Sequence, residues 1–149
     1  MRISAPHYRQ ETAHTCLSAC VRMVLAYLGD EQSERKLAIA FQTAPGWGAL
    51  PEHVETTLAG WGYQVHWFEN ATLERLEQLH ANAFLVIAFL RAVDLPHGRG
   101  GLHAVVIVDI DDRSVTCLDP MLDDDLKLGL AEFVRIWARL NNQGMIIWR

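Results

Sequence analysis

The stretch RQETAHTCLSACVRMVLAYLG, Arg9 to Gly29, changes character at Cys16. Before it, every side chain except Ala13 is polar or charged; after it, apolar residues crowd in. Leu17, Cys20, Val24 and Leu28 recur at three- to four-residue spacing, which predicts an amphipathic helix from Cys16 to Tyr27. Thr15 suits the N-cap and Gly29 the C-terminal stop. Cys16 therefore opens the helix, where unpaired backbone amides and the helix dipole favour a negative charge. Cys20 lies one turn deeper and reads as a core thiol. A nucleophilic thiol needs a base, and the base needs a group to orient it.

The second half of the chain offers both. LHAVVIVDI (Leu102–Ile110) and SVTCLDP (Ser114–Pro120) read as strands joined by a short turn at Asp111–Arg113. In an antiparallel hairpin the start of one arm lies beside the end of the other, so His103 and Asp119 become neighbours. A Cys at a helix start with a His–Asp pair on adjacent strands is the arrangement a thiol hydrolase needs. Gln10, on the incoming segment, can donate its side-chain amide to the oxyanion of a tetrahedral intermediate, with the Cys16 N–H as second donor. No metal and no organic cofactor is implied, because Cys16 and Cys20 lack a second matching ligand pair. Cys117 reads as core. Asp123–Asp125 reads as a solvated loop.

The rest reads as one domain, residues 1–149. Ser33 can cap a helix over Glu34–Phe41, TAPGWGALP (Thr43–Pro51) breaks it as a loop, and a third helix runs from Pro51 to Ala59. YQVHWF is a short strand, Thr72 caps a helix to about Leu79, and FLVIAFL is a buried strand. RAVDLPHGRGG is a Gly-rich turn region, GLAEFVRIWARL an amphipathic helix and GMIIWR a closing strand. Helices first, then a mostly antiparallel sheet with inserted helices, is an α+β pattern. Trp47, between Gly46 and Gly48, is a candidate cleft residue; Trp61, Trp67, Trp137 and Trp148 read as packing. His7, His14, His53, His66, His80 and His97 read as surface or half-buried, with His14 an alternative partner for Cys16.

Composition narrows the function classes. The 149 residues carry a formal net charge of -5 without a Lys/Arg cluster, which argues against nucleic acid as a partner. The longest apolar runs are too short for a membrane span, and the first residues lack a signal-peptide core, so the expectation is cytoplasmic. Three cysteines in a reducing compartment do not suggest a disulfide framework.

Gln10, Cys16 at a helix start, His103 beginning a Val-rich strand and the Asp119–Pro120 pair closing the next resemble the bacteriocin-processing cysteine peptidases. These are papain-like domains found at the N-termini of peptide-exporting ABC transporters and as free-standing relatives, and the chain reads as one of the latter. The resemblance spans almost the whole chain, including Gly46 and the Phe133–Trp137 helix. It implies a papain-like fold with Cys16 as nucleophile, His103 as general base and acid, Asp119 as orienter and Gln10 as oxyanion donor. It also implies a peptide or protein substrate, cleaved in transporter-fused members after Gly-Gly or Gly-Ala, and an exporter or secretion partner. Members carry Gly directly after the nucleophile and often Asp before it; here Leu17 and Thr15 stand there, which places Leu17, with Gly46 and Trp47, among the substrate-binding candidates. The same triad would also serve an acyltransferase or isopeptidase, and a member that had lost catalysis would be a peptide-binding module.

Overall fold

The computed structural model describes residues 1–45 and 48–149. Gly46 and Trp47, two of the cleft candidates, lie outside the described residues. Helix α1 spans Cys16–Tyr27, α2 Glu34–Ala40, α3 Pro51–Gly60, α4 Leu73–Ala81 and α5 Leu130–Ala138. The strands are β1 Gln64–Phe68, β2 Val86–Arg91, β3 Leu102–Ile110, β4 Ser114–Leu118, β5 Leu126–Gly129 and β6 Gly144–Trp148. They form one sheet in the order β1-β6-β2-β3-β4-β5, and every pairing is antiparallel. The expected α+β architecture, with the N-terminal helices packed on an antiparallel sheet, is what the chain adopts.

Alternate residues of the central strands enter two separate cores. Ile87, Phe89, Ala104, Val106 and Val108 pack with α1, α2 and α3, while Val86, Ala88, Leu90, Val105 and Ile107 pack with α4 and α5. Helices cover both faces, so β2 and β3 need apolar residues at every position. That is why FLVIAFL and AVVIV are continuous runs and not alternating ones.

Helix α1 is the axis of the first layer. Leu17, Ser18, Ala19, Cys20, Val21, Met23, Val24 and Leu25 are all buried, whereas Leu28 is only half-buried. The single stripe expected from spacing was too narrow, because α1 is enclosed by β3, α2 and the chain entering it. Its end follows the expected chemistry. Gly29 has φ +89, its N–H bonds the Ala26 carbonyl, and the Asp30 N–H bonds the Leu25 carbonyl, which is a Schellman cap. Ser33 and Thr72 cap α2 and α4 by accepting the backbone N–H of Lys36 and Arg75.

Four local readings need correction. Thr15 occupies the N-cap position of α1, yet its hydroxyl does not cap the helix; it is engaged by Thr12 and Glu34. Leu126–Gly129, of which the sequence reading assigns only Gly129, to the start of the helix, is strand β5, paired along β4 from Ser114↔Gly129 to Cys117↔Leu126. A strand this short carries too few alternations to stand out from a turn. Trp61 and Trp67 are 39% and 40% exposed and are not core residues, while His80, expected nearer the surface, is buried and bonds the Met1 carbonyl at 2.7 Å.

Candidate active site

Four pieces of chain converge where the N-terminus of α1 meets the β3–β4 hairpin. Cys16 stands in the first turn of α1, half-buried, and lines a cleft of about 530 Å³. Leu17, Leu50, Gly101, Leu102 and His103 share that cleft. Among the described residues lining it there is no Asp, Glu, Lys or Arg, and Leu50 and Leu102 present 43% and 68% of their surface to solvent.

His103 and Asp119 meet as the hairpin geometry predicted. The β3–β4 ladder pairs Val106 with Leu118 and Ile107 with Cys117, bringing the first residues of β3 level with the chain just past β4. His103 donates from Nε2 to Asp119 Oδ1 at 2.7 Å, and both side chains are buried. The bond fixes the tautomer: with the proton on Nε2, neutral His103 offers Nδ1 as acceptor to the Cys16 thiol. Burial alone would push the His103 imidazole down, but hydrogen bonds to Asp119 and Cys16 and the charge on Asp119 outweigh it and raise it to about 9. Asp119 is held below the ordinary carboxylate range: burial opposes ionisation, and the His103 bond and charge, the Met121 N–H and the His97 bond together overcome it.

Gln10 lies close by in the backbone, its N–H bonding the Pro120 carbonyl at 2.7 Å. Its side-chain amide donates to the Thr12 carbonyl at 2.8 Å, which leaves one amide proton uncommitted by that bond. Leu17 is 5% exposed; it packs in the first core and also lines the cleft. His14 lines the cleft as well. Cys20 and Cys117 are fully buried, and burial drives both thiols well up from their usual range, as befits packing residues.

Two contributors escaped the sequence reading. Glu34, first residue of α2 and 1% exposed, accepts the Glu11 N–H at 2.8 Å and the Thr15 hydroxyl at 3.1 Å. It thereby ties the turn that delivers Cys16 to the next helix. Burial raises its carboxyl and the two hydrogen bonds partly oppose that. The second is His97, whose Nε2 donates to Asp119 Oδ2 at 2.7 Å. Neither carries a local signal, because each works through a contact distant in sequence. His97, His103 and Asp119 also place their ligand-type atoms within 4.8 Å of one another, a set that could hold a divalent metal. Here those atoms already satisfy one another as hydrogen-bond partners, so the grouping is accounted for without an ion.

An all-antiparallel sheet between helical layers, with a thiol at a helix start facing a His–carboxylate pair, defines the class of papain-like cysteine peptidases. The chain belongs to the Peptidase_C39 like family, whose model matches residues 2–145, and it is a cysteine peptidase of that kind. No curated protein matches it. A C39-like peptidase structure from Bacillus anthracis superposes with TM-score 0.79 at 16% identity, covering 97% of this chain and 94% of that one. A double glycine motif protease from an AMS/PCAT transporter, solved in complex with the leader peptide, gives 0.72 at 19% identity, covering 98% and 92%. The peptidase domain of Streptococcus ComA, a bifunctional ABC transporter of a quorum-sensing pathway, gives 0.71 at 12% identity and 95% coverage of both. Among the described residues no helix is long and apolar enough to cross a membrane.

Proposed function

We propose that the protein hydrolyses peptide bonds through Cys16, His103 and Asp119. The observation that carries this reading is the 2.7 Å bond from the Nε2 of His103 to buried Asp119, with His103 and Cys16 lining the same cleft. The Cys16 thiol gives its proton to Nδ1 of His103 as the sulfur attacks the scissile carbonyl carbon, and the tetrahedral oxyanion falls beside the first-turn amides of α1, which lack intrahelical acceptors. The Cys16 N–H and the second amide proton of Gln10 are the donors. His103 then passes its proton to the leaving amine as the C–N bond breaks. A water molecule, deprotonated by the now neutral imidazole, hydrolyses the thioester and restores the thiol.

The substrate proposed is a peptide with small residues before the scissile bond, as in leader processing, with an exporter or secretion system as the setting. Two structurally similar domains come from transporters, one of them described with a leader peptide. The cleft agrees in chemistry: Gly48, Gly100 and Gly101 leave room for close approach of a peptide backbone, and its described lining carries no Asp, Glu, Lys or Arg. The test is hydrolysis of fluorogenic peptides ending in Gly-Gly, Gly-Ala or bulkier pairs. Faster turnover of the small pairs is expected; indifference to the pair, or a preference for large residues, sinks the specificity claim. Cys16→Ala should lower turnover by at least about a thousandfold with an unchanged circular dichroism spectrum. Retained turnover in that variant removes Cys16 from the mechanism.

A further inference from the structure

Asp119 serves two histidines. His103 donates to Oδ1 and His97 to Oδ2, each at 2.7 Å, while the Met121 N–H adds a 2.8 Å bond to Oδ1. The imidazole centroids of the two histidines are 6.3 Å apart and nearly perpendicular. We propose that His97 is a positioning residue for the reacting pair: it fixes the plane of the Asp119 carboxylate and shields its far oxygen from water. The consequence for catalysis rests on the reading of Cys16 and His103 as that pair.

The loop that carries His97 is built to deliver it. Its ends are closed by the Ala92 N–H on the Gly101 carbonyl at 2.9 Å, and its middle by Leu95 on Ala92 and Gly98 on Leu95. Leu95 is 3% exposed, and Asp94 is pinned by Arg91 at 3.3 Å and by Arg139, just past α5, at 3.0 Å. Gly98 packs so tightly that a Cβ there would stand 1.7 Å from the Ala92 carbonyl oxygen. A histidine free on a surface turn needs none of this. The His97 side chain is 20% exposed and Asp119 wholly buried, so His97 separates the carboxylate from solvent. The same loop ends in Gly100 and Gly101 on the cleft wall, so one short segment touches both the substrate channel and the orienting carboxylate.

Groups that bear on His103 are Cys16 from α1, Asp119 from the end of β4 and His97 from this loop; His14 lines the same cleft, and His7 bonds the Asp119 carbonyl at 2.7 Å. Removing His97 admits water to Asp119 Oδ2, and screening weakens the hold of the carboxylate on the imidazolium. The experiment follows the His103 ring by proton NMR across pH. In parallel it measures alkylation of Cys16 by iodoacetamide, read by mass spectrometry with Cys20 and Cys117 as buried internal references. Wild type, His97→Ala, His97→Leu and His97→Gln are compared, with Gln restoring an amide donor and Leu filling space without one.

In wild type, His103 should titrate near 9 and its Nε2 proton should resist exchange. In His97→Ala and His97→Leu the midpoint should fall, the protected proton should vanish and alkylation should slow about tenfold. His97→Gln should recover most of each. Unchanged midpoint and alkylation in a folded Ala or Leu variant overturn the proposal. So does an equal loss of reactivity in all three variants with the His103 midpoint unmoved, the mark of a purely structural loop. Neither readout needs a substrate. A protein in which the variants move His103 but no peptide is cleaved upholds the positioning role and defeats the peptidase mechanism alone.

Discussion

Leu17, like Thr15, departs from the pattern of the resemblance, and its placement is double. Its side chain fills the first core at 5% exposure and forms part of the cleft wall. Restoring the glycine usual in the resemblance should therefore cost stability while enlarging the cleft. Leu17→Gly loses a buried side chain and gains a poor helix former, together about 3 kcal/mol or more. The expected drop in Tm is roughly 10 °C. Relative rates on peptides with larger residues beside the scissile bond should rise against those with Gly-Gly. A variant with unchanged Tm and unchanged preference contradicts the double role. The His103 imidazole gives the second residue-scale expectation. As pH passes about 9 the proton needed by the leaving amine is lost, so the alkaline limb of kcat/KM should fall there. A limb near the ordinary histidine value would mean that Asp119 does not hold His103 in solution.

Among the elements, α1 and the β3–β4 hairpin were readable from the sequence. The change from polar to apolar at Cys16 and the Gly29 stop mark one, and paired Val-rich runs around Asp111–Arg113 mark the other. Their ends carry Cys16, His103 and Asp119, so the core of the candidate site came with them. Strand β5 was not readable, since Leu126 and Leu128 give only two apolar beats. His97 sits in a Gly-rich loop whose composition predicts a turn and says nothing of where the turn is pressed. Glu34 looks like an ordinary first-turn helix carboxylate, and its burial depends on the neighbouring turn at Glu11–Thr15. The loop offers an element-scale test. Gly98→Ala cannot be accommodated against Ala92 without opening the turn. It should slow Cys16 alkylation as His97→Ala does while far-ultraviolet dichroism stays the same; full reactivity would show that the loop does not transmit to the site.

For the whole molecule, the buried charges set a pH window of stability. The imidazole of His103 binds its proton more tightly folded than unfolded, so its contribution is complete below about 6.5 and fades as pH rises toward about 9. Asp119 is depressed, so its contribution holds above 3.8 and is lost as pH falls below that. Glu34 runs the other way: its raised carboxyl makes ionisation costly to the fold as pH climbs through its titration above 4.5. Melting temperature should accordingly decline between pH 6.5 and 9, and Asp119→Asn should flatten that decline. A slope equal to wild type in Asp119→Asn would assign the alkaline loss to other groups.

The hairpin that joins His103 to Asp119 has a bearing on folding order. The two residues are 16 apart in sequence, a short loop to close, whereas Cys16 belongs to the opposite end of the chain and must be brought to them across the sheet. Base and carboxylate can pair as soon as β3 and β4 zip, but the thiol arrives only when α1 docks. A chain still being made, or partly opened, holds an assembled proton relay with no nucleophile beside it. Cleavage as proposed therefore needs the α1 contact as well as the hairpin, so a copy in which α1 has not docked is inert toward its neighbours.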